Sequence, residues 1–164
     1  MKKIILIIIL VLLGIIENTI LPSYSFEGAF PSFILVFAIA FSIINTEEDA
    51  IFIGIISGLL QDLFFFEGFG INLLLNLLIC FTSAKIGKKI YIKNKFLPVL
   101  LTLFLSLLKI LGIAILFLLF NKSINMKIAL ISAIFNTITM FLGYRGILNF
   151  SKKHWKQESW RFKW

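Results

Sequence analysis

AIFIGIISGLLQDLFFFEGFGINLLLNLLICFTSA, residues 50–84, is the stretch on which the architecture turns. Read as one helix it would be about 50 Å long at 1.5 Å per residue, well beyond the roughly 30 Å of hydrocarbon in a bilayer. The run Glu67-Gly68-Phe69-Gly70 interrupts it, and two glycines free the backbone where the chain must reverse. The spacing therefore predicts a hairpin, with one helix over 50–66 and a short one over 71–84.

Outward from the hairpin the same pattern repeats. Lys2 and Lys3 precede an aliphatic run over 4–16 that has the outline of a signal peptide. Glu17-Asn18-Thr19 offers no small-residue cleavage site, and Ile20-Leu21 continues the apolar character, so 4–21 reads as an uncleaved first span. Further spans are expected at 29–44, 96–120 and 126–148, followed by a basic, aromatic tail over 151–164. The chain has 164 residues, 60% of them hydrophobic, including 19 Phe, and a mean hydropathy of +1.02. Soluble domains are about 45–50% apolar. Six spans of about 20 residues leave no room for a soluble catalytic domain. The expected fold is an all-α integral membrane protein, one compact bundle of about six transmembrane helices over 1–150.

Charge placement orients the bundle. Two lysines lie at the amino terminus, five in 85–95 and six Lys/Arg from Arg145 onward, against only Lys122 and Lys127 in the opposite loops. Lys and Arg gather on the cytoplasmic side, which predicts both termini inside. Five spans would strand the amino-terminal lysines outside. The net charge of +8 then signifies contact with anionic membrane lipids, not nucleic acid, because no basic region accompanies a soluble module. With one Cys (Cys80) and one His (His154), the chain cannot form an internal disulfide or a Cys/His metal site. It contains no Ser-His-Asp set, P-loop or dinucleotide fingerprint. Neither enzyme activity nor a cofactor is expected.

Charged side chains inside a span cost at least about 2.5–3.5 kcal/mol each on insertion scales, so each needs a reason. Glu17, Asp62 and Lys109 lie 13, 12 and 13 residues past Ile4, Ala50 and Phe96. All three fall roughly 18–20 Å along outward-running helices, at one level. Gly54, Gly58 and Asp62 form a narrow stripe, and Gly-x-x-x-Gly permits close helix approach. Thr102, Ser106 and Lys109 share a face, as do Asn72, Asn76, Cys80 and Ser83, and Ser132, Asn136, Thr139 and Gly143. The pattern predicts a modestly polar interior containing Glu17, Asn72, Asn76 and Asn136, and an ion pair between Asp62 and Lys109. The bland alternative is that the charges snorkel singly, with Glu17, close to Pro22, merely interfacial. Trp155, Trp160 and Trp164, set among cations, read as an interfacial anchor at headgroup level.

Gly54-Ile-Ile-Ser-Gly58-Leu59-Leu60-Gln61-Asp62-Leu63, then Gly68-Phe69-Gly70, then Asn72-Leu-Leu, resembles the signature of the rod shape-determining protein MreD family. In that family a second-span Pro precedes a Gly-x-x-x-Gly-Leu-x-x-Asp helix and a Gly-containing turn, and Pro31 stands in the place of that Pro. Ser32 departs from the acidic residue that often follows it, so no role is assigned to Ser32. The resemblance implies a non-enzymatic scaffold of the cell-elongation machinery in the bacterial cytoplasmic (inner) membrane. Such a scaffold binds MreC and helps link MreB filaments to peptidoglycan synthases, including RodA and its partner transpeptidase. Gly54, Gly58, Asp62, Gly68 and Gly70 match the family pattern and by their types serve helix packing and partner docking. MreD-like proteins are similar in build to S components of energy-coupling-factor transporters. The competing reading is therefore a substrate-binding S component that takes a vitamin or metal in an outward pocket.

Overall fold

Twelve residues, Phe33–Ile44, carry one polar side chain, Ser42. A helix apolar on every side belongs inside a protein, and every residue from Ile34 to Ile44 is buried. In the computed structural model, which describes residues 2–64, 70–88, 96–119 and 125–155, this helix (α2) is the central post. Around it stand α1 (Lys2–Thr19), α3 (Glu47–Phe64), α4 (Ile71–Gly87), α5 (Phe96–Leu119) and α6 (Met126–His154), with a short 3-10 turn at Leu21–Tyr24 after α1. Neighbours pack in the order α1, α3, α4, α5, α6, and all five touch α2.

Local chemistry starts and stops these helices. Thr46 caps α3: its hydroxyl accepts the Asp49 N–H at 3.3 Å and donates to the Asp49 carboxylate at 2.9 Å. Glu47, Glu48 and Asp49 occupy the first turn, where the helix dipole favours anions. Asn125 caps α6, accepting the Ile128 N–H through its side chain. Pro98 falls in the first turn of α5, where a missing N–H leaves no ladder bond unmade.

Several expected boundaries move, two of them by a full turn or more. The second helix begins at Phe33, not 29, because Phe26 and Ala29 pair as an isolated bridge and Pro31 holds the approach in a non-helical form. At about 18 Å, α2 is too short to cross the hydrocarbon as a helix. The last helix runs to His154, beyond the expected end at 148.

The core lies on both sides of α2. On one side Leu35, Ile39 and Ile43 meet Ile79, Leu105, Met140 and Tyr144. On the other, Phe37 and Phe41 meet Leu6, Leu10, Ile53 and Cys80. The exterior is greasy: Ile4, Ile8, Leu12 and Ile15 on α1, Leu100, Phe104 and Ile115 on α5, and Leu130, Ile134 and Leu142 on α6 are all exposed. The interior holds Glu17, Ser57, Gln61, Asp62, Asn76, Lys109 and Asn136. Apolar outside and polar within is the reverse of a water-soluble domain, whose exposed apolar patches rarely exceed a few hundred Å². The α5 stretch Phe96–Leu118 (23 residues) and the α6 stretch Met126–Lys153 (28 residues) are each long and apolar enough to span a bilayer. Among the described residues the fold is all-α, and its two long apolar helices and apolar exterior are compatible with a helical membrane protein.

Candidate functional site

The site begins where α3 meets α4. A Cβ built on Gly58 would fall 2.6 Å from the Asn72 carbonyl oxygen and against the Leu73 Cα, and one on Gly54 would fall 2.9 Å from the Leu77 Cα. Backbone therefore lies on backbone along the glycine stripe, the close approach that small residues permit. Gly87 does the same between α4 and α2, where a Cβ would meet the Ile43 carbonyl and come within 2.8 Å of its Cα. That contact was not legible in the sequence, where Gly87 falls in the basic segment 85–95 beyond the expected helix end at 84.

Close packing brings the end of α3 over the start of α4, and Asp62 uses it. Its carboxylate accepts the N–H groups of Gly70 (2.9 Å), Asn72 (2.9 Å) and Leu73 (3.0 Å). These are the donors that an α-helix leaves unpaired at its amino end, and a carboxylate there also suits the helix dipole. Gly70 enters α4 at φ +97, a left-handed conformation that favours glycine.

The expected Asp62–Lys109 ion pair is not formed. Asp62 is occupied by the α4 backbone, while the Lys109 ammonium donates to Gln61 Oε1 (2.7 Å) and Asn76 Oδ1 (2.8 Å). The reason is competition. Gln61, the residue before Asp62 on α3, and Asn76, on α4, already accept from the Lys109 ammonium, and three backbone donors already engage the Asp62 carboxylate.

Around Lys109 the polar groups form a continuous network. The Asn76 amide donates to Gln61 Oε1 (2.8 Å) and Ser57 Oγ (3.3 Å). The Gln61 amide donates to Ser32 Oγ (2.7 Å), and the Ser32 N–H donates to Asn136 Oδ1 (2.7 Å). The Asn136 amide reaches Ser106 Oγ at 3.4 Å. Glu17 accepts the Ile34 N–H at 3.0 Å, and it too interacts with Ser32 and Gln61. Glu17 and Ser32 thus share the unpaired donors at the start of α2, Ser32 taking the Leu35 N–H. Glu17 is 1% exposed, so the snorkelling, interfacial reading of it is corrected.

These residues line a cavity of about 650 Å³ at the end of the bundle where α1, α3 and α5 finish and α2, α4 and α6 begin. Glu17, Ser32, Gln61, Asn72, Lys109 and Asn136 contribute polar groups, and Leu35, Phe64, Ile71, Ile110 and Ile113 contribute apolar wall. Of the anticipated interior residues, Asn76 and Asn136 are buried and Asn72 is half-buried at the cavity edge. Ser32 and Gln61 were the residues that sequence reasoning missed. Gln61 could have been found from its position one turn after Ser57 on the polar face. Ser32 gave only the weak signal of a capping residue after Pro31.

The opposite end of the bundle is tied differently. Ser151 Oγ donates to Asn45 Oδ1 (2.8 Å), and the Trp155 indole N–H donates to Asp49 Oδ2 (2.8 Å) while its ring meets Phe41 edge-on. Trp155, expected as a headgroup anchor, is packed on protein at this end of the bundle. The extra length of α6 delivers it to the α2–α3 corner. Lys88 pairs with Glu47 at 2.6 Å, and this bond holds the Glu47 carboxyl below its ordinary value. Gly68, Trp160 and Trp164 lie outside the described residues.

A family model described as rod shape-determining protein MreD matches residues 1–150. No curated protein and no solved structure matches the chain.

Proposed function

Since the chain belongs to the rod shape-determining protein MreD family, we propose that it is a non-enzymatic scaffold subunit of the bacterial cell-elongation machinery. It crosses the cytoplasmic membrane six times with both termini inside, binds MreC, and helps couple MreB filaments to peptidoglycan synthesis by RodA and its partner transpeptidase. The observation that carries this reading is the family match over residues 1–150, which takes in all of the helical bundle but the last turn of α6. A shape-determining structural role also fits what the buried polar groups do. Asp62 caps a helix, and Gln61, Asn76 and Lys109 tie α3, α4 and α5 together. Their hydrogen bonds are spent on architecture.

Orientation follows from charge. Lys3, Lys85, Lys88, Lys152 and Lys153 lie on helix ends that share one end of the bundle, which the positive-inside preference assigns to the cytoplasm. The polar cavity then opens in the outer half. Gly54, Gly58 and Asp62 set the α3–α4 hairpin, and the turn containing Gly68 and Gly70 is the proposed docking point for a partner.

Affinity purification from native membranes, read by mass spectrometry, tests the assignment. MreC should be recovered with the wild-type chain, and Gly68→Ala/Gly70→Ala together should reduce its recovery more than they reduce insertion. Failure to recover MreC at normal expression would refute the scaffold reading. Reporter fusions that put the two termini on opposite sides of the membrane would refute the topology. The S-component alternative has one feature in its favour, the cavity, and the ligand experiment below separates the two readings.

A further inference from the structure

The cavity is larger than helix packing requires, and it falls within the roughly 300–1,000 Å³ of small-molecule sites. Its polar side holds opposite charges that do not meet. Glu17 and Lys109 both line it, are 1% and 7% exposed, and act on one another electrostatically. Even so, the ion pairs within 4 Å among the described residues are Lys88–Glu47 and Lys127–Glu27. A lysine ammonium has three donors, and Gln61 and Asn76 take two from Lys109. The Asn72 and Ser132 side chains, also on the lining, have no hydrogen-bond partner among the described residues.

The chemistry of an occupant follows. It must accept from Lys109 and donate to Glu17, which a hydroxyl does with one atom. It must carry no net charge, because the Glu17–Lys109 couple is already neutral and an added ion would be buried without compensation. Its body must be apolar to match Phe64, Ile110 and Ile113. We propose that the cavity is a binding site for a membrane amphiphile with an uncharged, hydroxyl-bearing head, seated between Glu17 and Lys109 with its chain along α5.

Thermal unfolding of the purified full chain in detergent, with five probes, tests this. Monoolein should raise Tm by roughly 5 °C or more near saturation. Oleate and oleylamine, which have the same chain with charged heads, should give much less, and glycerol, the head without the chain, nothing. Ala129→Phe fills the cavity from α6 and should abolish the monoolein shift. Asn72→Leu is a second variant that keeps the backbone N–H on Asp62, and it should weaken apparent monoolein binding several-fold. No shift with monoolein, equal shifts with all three oleyl probes, or a shift unchanged in both variants would each overturn the proposal. A riboflavin-dependent shift without a monoolein shift would overturn it in favour of a vitamin site.

Discussion

Asp62 gives the sharpest test, because two accounts of it predict different energies. Asp62→Asn keeps the shape but leaves one carbonyl oxygen. Placed where Oδ2 now lies, that oxygen retains Gly70 and Leu73, and the amide NH2 faces the Asn72 N–H, donor against donor. A buried donor left unsatisfied costs about 1–3 kcal/mol. Neutralising the two remaining charge-assisted bonds costs about 1 kcal/mol more, and losing the anion at the start of α4 about 0.3–1 kcal/mol. The expected loss is about 3 kcal/mol. Lys109→Met strips a donor from Gln61 and Asn76, for about 2 kcal/mol. Since the two residues serve separate partners, the double variant should lose about 5 kcal/mol, additive within about 0.5 kcal/mol. Denaturant unfolding in detergent, followed by Trp fluorescence, measures all four corners of the cycle. If the double variant is no less stable than Asp62→Asn alone, a coupling of about 2 kcal/mol, then Asp62 and Lys109 are direct partners and the capping account is wrong.

Gly58→Ala should destabilise the fold by about 2 kcal/mol or more, because its methyl meets α4 backbone that cannot swing aside, whereas Gly146→Ala meets nothing within 4 Å and should be neutral or slightly stabilising. Equal effects on folded yield would break the close-approach argument. Glu47 is depressed by Lys88, so its contribution is present above pH 4.5 and fades as the pH falls through its lower folded value. Lys88→Gln should return the Glu47 titration toward 4.5, seen by carbon-detected NMR, and an unmoved titration would remove the pairing. Cys80, on α4, is fully buried against α2 and α3 and should react with a membrane-permeant maleimide only after unfolding. Rapid labelling of the native protein would contradict the packing there.

Sequence alone determined the solvent and the element types. Hydrophobic runs bounded by charges and glycines are local facts, and an apolar run in a chain this greasy has few other fates. Local too were the break between α3 and α4 and the glycine stripe, since closely spaced glycines and Gly-x-x-x-Gly can be read directly along the chain. Partnership was decided only in three dimensions. Asp62, Lys109 and Glu17 were legible as buried charges, but which acceptor each meets depends on helix rotation and on competitors such as Gln61 and Ser32, tens of residues away. The pairing of Asp62 with Lys109 was reasonable on level and sign. It lost because the tight α3–α4 contact presents three backbone donors to the carboxylate first. For the same reason the central place of α2 and the cavity above its first turn are properties of the assembled bundle, since a void has no residue of its own to read.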